Sequence, residues 1–571
     1  MLKIEHKIHI WYNIIKQQKI NRKVNLMYKH YNTNQQQFVL NYEYGVKKYH
    51  IAKIISDFVD TIDEKTFITE NTNEVGRKAY HPRMLIKILL FAYSRKTFSG
   101  RNIELMINEN LPMMWLAQGE KISYRTINRF RASEKMDKIL SELYSKFVTT
   151  LQEENLIQQN EIFIDGTKLE ANANKFSFVW KKSTKNYNKK LDDKVKEMYH
   201  TQIKPYVEEA IIEEKQELTV EDIKELSEEI EKTIDKIEDK QEVKKLTKIK
   251  KQLDTDFIPR KEKYSTYLKK LGERNSFSKT DEDATFMRTK DDHMKNGQLK
   301  ACYNLQIATE NQYTLAYKLY QTPGDTRTLL PFLNSMSKKI LAPLKNIVAD
   351  AGYGSEENYT EIIDTFEKTP LIPYGTMEKE MKKKFKNDKT NRANWEYNEH
   401  YDYYTDHNDV VYSFKMLATR KNTSGYERDV RVYEADTWQK TQSLIELSKT
   451  PKGRQRRIEV NLTWEYYKEY VKRELLEKQD IYRKRKIEVE SVFGHLKANL
   501  GMPKLTVRGK RHASNQVGLA LFALNMKKYC RDLEGKSLTF SIFRQIKNLY
   551  YKNEVKISKT EIYSPHFYFK G

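Results

Sequence analysis

Three acidic residues carry the chemistry this chain could perform. Asp165 lies in "EIFIDGTKLEA" (161 to 171), which predicts a short strand with the aspartate at its end and Gly166 turning the chain. Asp350 closes a second apolar run, "NIVADAGYG" (346 to 354), in the same way. Glu490 belongs to "IYRKRKIEVESVFGHLK" (481 to 497), a helical stretch crowded with cations. Residues so distant in sequence meet only through a fold. A mixed sheet can bring them together, because neighbouring strands lie about 4.8 Å apart and present side chains at adjacent ends. Three hard oxygen ligands at one sheet edge suit Mg²⁺ or Mn²⁺. Two such ions about 3.5 to 4 Å apart would clamp the attacking and leaving oxygens of an in-line displacement at phosphorus.

Two glutamates compete for the third position. Val489, Val492, Phe493, Leu496 and Leu500 fall on one buried stripe and fix the rotation of the helix. At about 100° per residue, Glu490 then shares a face with Arg483, Lys486, Gly494 and Lys497. Gly494 removes a side chain where a phosphate backbone would need room. Glu488 has Lys484 and His495 as helical neighbours, and an ordinary surface salt bridge explains it. Glu490 is therefore the expected ligand. The cations around it would hold DNA phosphates and keep the carboxylate ionised.

The elements that must position these acids are partly legible. From 78 to 133 the pattern is helical, and Pro82 opens "HPRMLIKILLFAYSRK" as a first-turn proline would. "SYRTINRFRAS" starts at a candidate N-cap, Ser123, and carries Arg125, Arg129 and Arg131. It reads as the second helix of a helix-turn-helix, against the plainer alternative of a short helix with solvated arginines. "KACYNLQIATE" and "QYTLAYKLYQT", joined at Asn311 and Gln312, read as a hairpin. "PGDTRTLLPFLNSMSKK" reads as a helix with Asp325 at its N-cap, which assigns that aspartate to capping. "PLIPY" (370 to 374) is a further strand. The charged block from 186 to 280 repeats Ile223, Leu226, Ile230, Ile234 and Ile237 at helical spacing, as an inserted helical hairpin or coiled coil would. The aromatic, polar stretch from 376 to 455 looks β-rich. Arg508, Lys510 and Arg511 in "VRGKRH" suggest a phosphate-facing loop.

The bulk properties fit a polyanionic partner. The chain has 571 residues, a formal charge of +24 and a pI near 9.4. Such an excess favours nucleic acid over a merely solubilising surface. With 39% hydrophobic and 32% charged residues and a mean hydropathy of −0.81, it should build several interiors under a wet surface. Only Cys302 and Cys530 are present, so no disulfide framework or cysteine zinc site is expected, in keeping with a reducing cytosol. No apolar run is long enough to span a membrane. The N-terminal stretch lacks the apolar core and small-residue cleavage site of a signal peptide, and Met27 offers a second start.

"IFIDGTKLEANANK", "VADAGYGSEENY" and "RKIEVESVFGHLKANLG" resemble the three acidic blocks of bacterial insertion-sequence DDE transposases. The group in question carries a Tyr-x2-Arg-x3-Glu-x6-Lys signature on its glutamate helix. The resemblance spans residues 40 to 530, since "HPRMLIKILLFAYSRKTFSGRNIE" and "MRTKDDHMKNGQLKACYNLQ" also look like that group's N-terminal domain and hairpin entry. It implies a ribonuclease-H-like core, with Asp165, Asp350 and Glu490 binding two Mg²⁺ or Mn²⁺ ions. Lys497 matches the signature lysine. Arg483 and Lys486 stand at the signature's Tyr and Arg positions, with Tyr482 and Arg485 one residue off register. Neither cysteine lies in 376 to 455, so no zinc knuckle is expected there.

The expected fold class is α/β. A ribonuclease-H-like mixed sheet would be assembled from 151–185, 298–375 and 456–530. A basic arm (1–40) and an N-terminal helical DNA-binding domain (41–150) precede it, a helical insertion (186–297) and a β-rich one (376–455) interrupt it, and a tail (531–571) follows. The expected function is that of a transposase cutting element ends and joining them to target DNA. The alternatives are a metal-dependent nuclease of the same fold and a decayed DNA-binding copy. Arg483, Lys486, Lys497, Arg508 and Lys510 would grip the backbone, while Arg125, Arg129 and Arg131 would read the terminal repeats. The partner would be double-stranded DNA, bound by a homodimer in the bacterial cytoplasm at the nucleoid, with no membrane involved.

Overall fold

The computed structural model describes residues 46–67, 79–207, 215–289, 297–422 and 425–557, with side chains to 536. The basic arm expected over 1–40 lies outside the described residues. Among the described residues six α-helices come first: α1 (Ile51–Asp60), α2 (Pro82–Ser94), α3 (Gly100–Glu109), α4 (Leu111–Leu116), α5 (Tyr124–Arg131) and α6 (Lys135–Glu153). Pro82 occupies the first turn of α2, where a missing N–H costs nothing, and the His81 ring accepts from the Arg83 N–H at 3.2 Å. Leu85, Ile86 and every residue from Ile88 to Ser94 are buried, so α2 forms the centre of this region.

The chain then changes to strands: β1 (Glu161–Glu170), β2 (Phe178–Trp180), β3 (Ser276–Ser278), β4 (Thr285–Arg288), β5 (Leu299–Glu310), β6 (Tyr313–Tyr320), β7 (Asn346–Val348) and β8 (Thr369–Leu371). The main sheet runs β4-β5-β1-β7-β8, with β6 also on β5. β5 is antiparallel to β1 and β6, whereas β7 is parallel to β1 and β8 to β7. This mixed α/β arrangement is consistent with a ribonuclease-H-like core. The β5–β6 turn puts Asn311 and Gln312 at φ 48° and 57°, the left-handed pair that a tight hairpin demands.

One local expectation fails at β1. Asp165 does not end the strand and Gly166 does not turn it, because the ladder continues to Glu170 opposite Cys302. The glycine serves a close approach instead. A Cβ there would stand 3.0 Å from Asp325 Oδ1 and closer still to the Gln306 amide. The helix expected over "PGDTRTLLPFLNSMSKK" is also broken, into a turn at Thr326–Thr328 and short helices at Leu329–Leu333 and Lys338–Leu341. Ser335 Oγ bonds the Phe332 carbonyl at 2.7 Å, which draws off an acceptor that helix continuation would use.

Between β2 and β3, helices α7 (Lys181–Met198), α8 (Val220–Ile234), α9 (Lys240–Gln252) and α10 (Ile258–Leu271) enclose a core of their own. It includes Leu191, Val195, Ile223, Leu226, Ile230, Leu246 and Leu253. After β8 comes an antiparallel sheet in the order β13-β12-β11-β10-β9, formed by β9 (Glu396–Asn398), β10 (Tyr403–Thr405), β11 (Val411–Lys421), β12 (Glu427–Ala435) and β13 (Arg457–Val460). Helices α11 (Leu462–Glu477) and α12 (Gln479–Arg485) lead to the glutamate segment, and α13 (Lys510–Ile557) closes the described chain. α13 runs straight through 531, where composition alone suggested a separate tail. Phe522 on α13 meets Phe58 and Phe147 at centroid distances of 5.6 and 5.3 Å, which ties the C-terminal helix to α1 and α6. Among the described residues no helix is long and apolar enough to cross a membrane.

Candidate active site

Parallel pairing of β1 with β7 sets Phe163 opposite Val348. Asp165 lies two residues past Phe163, and Asp350 two past Val348. Asp350 is still extended, at φ −81° and ψ 173°. Continuing the register therefore places the two aspartates abreast on one face, about one strand spacing apart. Each is oriented by its own backbone: Gly166 N–H donates to Asp165 Oδ1 at 2.7 Å, and Gly352 N–H to Asp350 Oδ1 at 2.8 Å.

A cation and a phenol adjoin the aspartates, and a second phenol, Tyr353, links them to the Gln306 side of the sheet. Arg485, the last residue of α12, places Nη1 3.3 Å from Asp165 Oδ2, with side-chain exposures of only 14% and 18%. Tyr482, one turn earlier, is pushed up by burial, drawn down by Arg485 and raised again by the charge of Asp350. Tyr353 is fully buried. Burial pushes its hydroxyl well up, and the charges of Asp325, Asp165 and Asp350 add to that. Its O–H donates to Gln306 Oε1.

Asp325 departs from its expected role. It sits at the N-cap position of Thr326–Thr328, but its side chain caps nothing. Instead it accepts from Asn304 Nδ2 at 2.7 Å and Gln306 Nε2 at 3.1 Å, with Lys168 Nζ at 3.7 Å. The reason is register. Gly166, Lys168, Asn304 and Gln306 lie on the face of the β1–β5 ladder opposite Asp165, and buried amides there need an acceptor.

Glu490 stands apart. Lys486–Glu490 is a π-turn, and a second follows at His495–Asn499, so the assumption of about 100° per residue fails across the segment. In α geometry Glu490 would lie about 140° round from Arg485. In a π-turn the residue five along closes the hydrogen-bonded ring, which carries Glu490 back above Arg485. Its side chain is exposed, and no group of three or more His, Cys, Asp or Glu among the described residues is placed to hold a metal ion. The chemistry of Asp165 and Asp350 fits a hard divalent cation, and the structure brings together two of the three expected ligands.

Glu488 is not a surface salt-bridge residue. Its Oε2 accepts from the Gln312 N–H at 2.6 Å, and its carbonyl from Thr309 Oγ1 at 3.4 Å, so it pins the helix to the β5–β6 hairpin. Burial raises its carboxyl above the ordinary range, and the Gln312 hydrogen bond offsets part of that.

Two families match the chain. Residues 274–526 match the Transposase DDE domain, and residues 40–133 match a second transposase domain, DUF772. Together they take in more than half of the sequence. The chain belongs to the insertion-sequence DDE transposases. No curated protein and no solved structure matches it. The DDE match contains Asp350 and Glu490 but begins after β1, so the placing of Asp165 in this transposase rests on the register of β1 with β7.

DNA is the transposase's substrate, and the expected DNA contacts divide into several groups. Arg125 and Arg129 are exposed on α5, with the Arg125 guanidinium 5.9 Å from the Tyr124 ring centre. Arg101, which sequence reasoning missed, lies over the same ring at 5.3 Å. Arg131 is turned inward and donates to the Phe98 carbonyl at 2.6 Å and to Tyr93 Oη at 3.2 Å, so its role is structural. Arg483 is exposed and pairs with Asp480 at 3.5 Å, and Lys486 is exposed. Neither is tied to the aspartates as Arg485 is. Lys497 is half-buried, and its charge acts on Cys302, whose thiol burial pushes up to about 12. Arg508 is exposed while its Nε donates to the Asn172 carbonyl at 3.0 Å. Lys510 is half-buried at the start of α13, its N–H donating to Asp283 Oδ2 at 2.9 Å. Arg511 is committed to Glu134 and the Ala132 carbonyl.

Proposed function

We propose that this transposase hydrolyses the phosphodiester at the ends of its element and joins the freed 3′-hydroxyl to target DNA by transesterification. The core doing so would be ribonuclease-H-like, with strand order β6-β5-β1-β7-β8 and β1, β7 and β8 parallel. The observation that carries this is the placing of Asp165 and Asp350 two residues past the matched Phe163 and Val348 of adjacent parallel strands, with Arg485 on Asp165 and Tyr482 within reach of the charge of Asp350.

Asp165 and Asp350 would hold the divalent ions, with Glu490 drawn in from the rim as the third ligand. Divalent ions held there would supply positive charge to the attacking and leaving oxygens of the displacement. Arg485, held on Asp165 at 3.3 Å, would offer its planar fork to a phosphate oxygen beside that carboxylate. Tyr482 offers a phenolic O–H beside it. The π-turn before Glu490 provides the give that lets the carboxylate move relative to Arg485 without unwinding the helix. Arg101, Arg125 and Arg129 would hold the terminal repeat, and a homodimer would present two ends together, with α7–α10 as a contact surface.

The decisive experiment offers a pre-cut end from the repeats flanking the gene, supercoiled target DNA and Mg²⁺. Wild type should form joined product. Asp165→Asn, Asp350→Asn and Glu490→Gln should each lower it by at least about 100-fold while still binding the end. Cleavage of uncut ends with no joining would replace this proposal with a nuclease. Binding without either reaction would replace it with a decayed copy.

A further inference from the structure

The segment leaving β1, residues 171–177, carries an exposed aromatic on a loop that is hydrogen-bonded on both sides of it, at Ala171, Asn172, Asn174 and Ser177. Ala171 N–H bonds the Ala301 carbonyl at 2.9 Å, and Asn172 Nδ2 the Thr506 carbonyl at 3.0 Å. Asn174 N–H bonds Thr280 Oγ1 at 2.8 Å. Ser177 Oγ lies 2.8 Å from the Asn174 carbonyl and 2.7 Å from Ser278 Oγ. Lys279 N–H then donates to the Ser177 carbonyl at 2.7 Å. At the tip of this clamped loop Phe176 is 79% exposed, although its near neighbour Phe178 packs edge-on against Phe286 at 5.9 Å.

The ring has cationic company. Lys175 Nζ lies 5.6 Å from the centre of the Phe176 ring. Lys279, whose backbone clamps the loop, is exposed, and Arg508 is fastened to the same loop through Asn172. Single exposed apolar residues need no explanation in general. A rigid aromatic flanked by cations is a different object, because it combines the two ingredients of sequence-tolerant base stacking: a π-face and phosphate-seeking charge. Rigidity matters too, since a loop already ordered loses little entropy on binding.

We propose that Phe176 is a stacking platform for an unpaired DNA base, with Lys175, Lys279 and Arg508 holding the adjoining phosphates. This rests on the chain acting on DNA and goes beyond the cutting and joining chemistry. The platform lies in the loop that follows the strand carrying Asp165.

The test uses the whole chain and two fluorescein-labelled probes, an oligothymidylate of about 20 nucleotides and a random-sequence duplex of about 20 base pairs. Phe176→Ala should weaken binding of the single strand by about 5- to 100-fold while changing the duplex affinity by less than about twofold. Phe176→Trp should restore the single-strand affinity. Unchanged single-strand binding by Phe176→Ala, an equal loss on both probes, or failure of the Trp variant to restore binding would each overturn the proposal. So would a loss of self-association in Phe176→Ala with DNA binding intact, which would make the ring a contact between copies. If wild type bound neither probe, the DNA-acting function itself would fall, and this inference with it.

Discussion

Arg485 donates to Asp165 across 3.3 Å, linking the glutamate helix to the central strand from a position 320 residues away in sequence. The contact exists because a π-turn separates Arg485 from Glu490, so the Tyr482–Arg485 spacing matches the family signature while the following interval is one residue longer. A single extra residue in a helix is what a π-turn absorbs. Arg483 and Lys486, which strict counting back from Glu490 selects, face solvent instead.

Arg485→Ala should therefore lower strand joining by about 100- to 1,000-fold, and Arg485→Lys should recover little of it, since an ammonium cannot reproduce the planar fork. Arg483→Ala and Lys486→Ala should change joining by less than about tenfold and act mainly on the salt dependence of DNA binding. Single-turnover joining with saturating end DNA separates the two effects.

Glu488 gives a pH dependence with a definite sign. Its carboxyl is raised by burial from an ordinary value of 4.5, as is that of Glu310 nearby. A carboxyl with a raised folded pKa binds its proton more tightly in the folded chain. Its contribution to stability is therefore full at low pH and is lost as pH rises from near 4.5 through the raised folded value. Glu488→Gln retains an acceptor for the Gln312 N–H and should flatten that decline. Glu488→Ala strands the donor and should cost about 1–3 kcal/mol. Urea unfolding between about pH 4 and about pH 8 reads both.

Gly166→Ala should disable the protein without touching an acid. Its Cβ would press on Gln306, which is fully buried and bonded to both Tyr353 and Asp325. Overpacking of this kind costs about 1–3 kcal/mol and would shift the strand bearing Asp165. A fall in thermal midpoint together with lost joining is the expected result. Unchanged values of both would show that the Gln306 network yields freely.

The arginines of α5 should separate cleanly. Arg125→Ala and Arg129→Ala should each weaken duplex binding and reduce the slope of log affinity against log salt by about one. Arg131→Ala should leave that slope unchanged and lower the thermal midpoint, because it removes hydrogen bonds to the Phe98 carbonyl and Tyr93.

Much of the architecture was legible because it rests on local rules. Pro82 marked the start of α2, the turn at Asn311 and Gln312 marked the hairpin, and Ile223, Leu226 and Ile230 marked a helix with its own core. The acids were legible as residue types in apolar runs, and the resemblance to transposases agrees with the family matches.

The sequence by itself determined which residues are acidic, basic and apolar, and at what local period, since those follow from side-chain chemistry and from the 3.6- and 2-residue repeats of helix and strand. Tertiary structure alone decided which groups meet. The ladder with β5 carried β1 past Asp165, its opposite face turned Asp325 from a cap into an acceptor for Asn304 and Gln306, and the hairpin engaged Glu488 through the Gln312 N–H. A π-turn chose Arg485 over its neighbours. These outcomes depend on burial and register between segments far apart in the chain, and no local period encodes them.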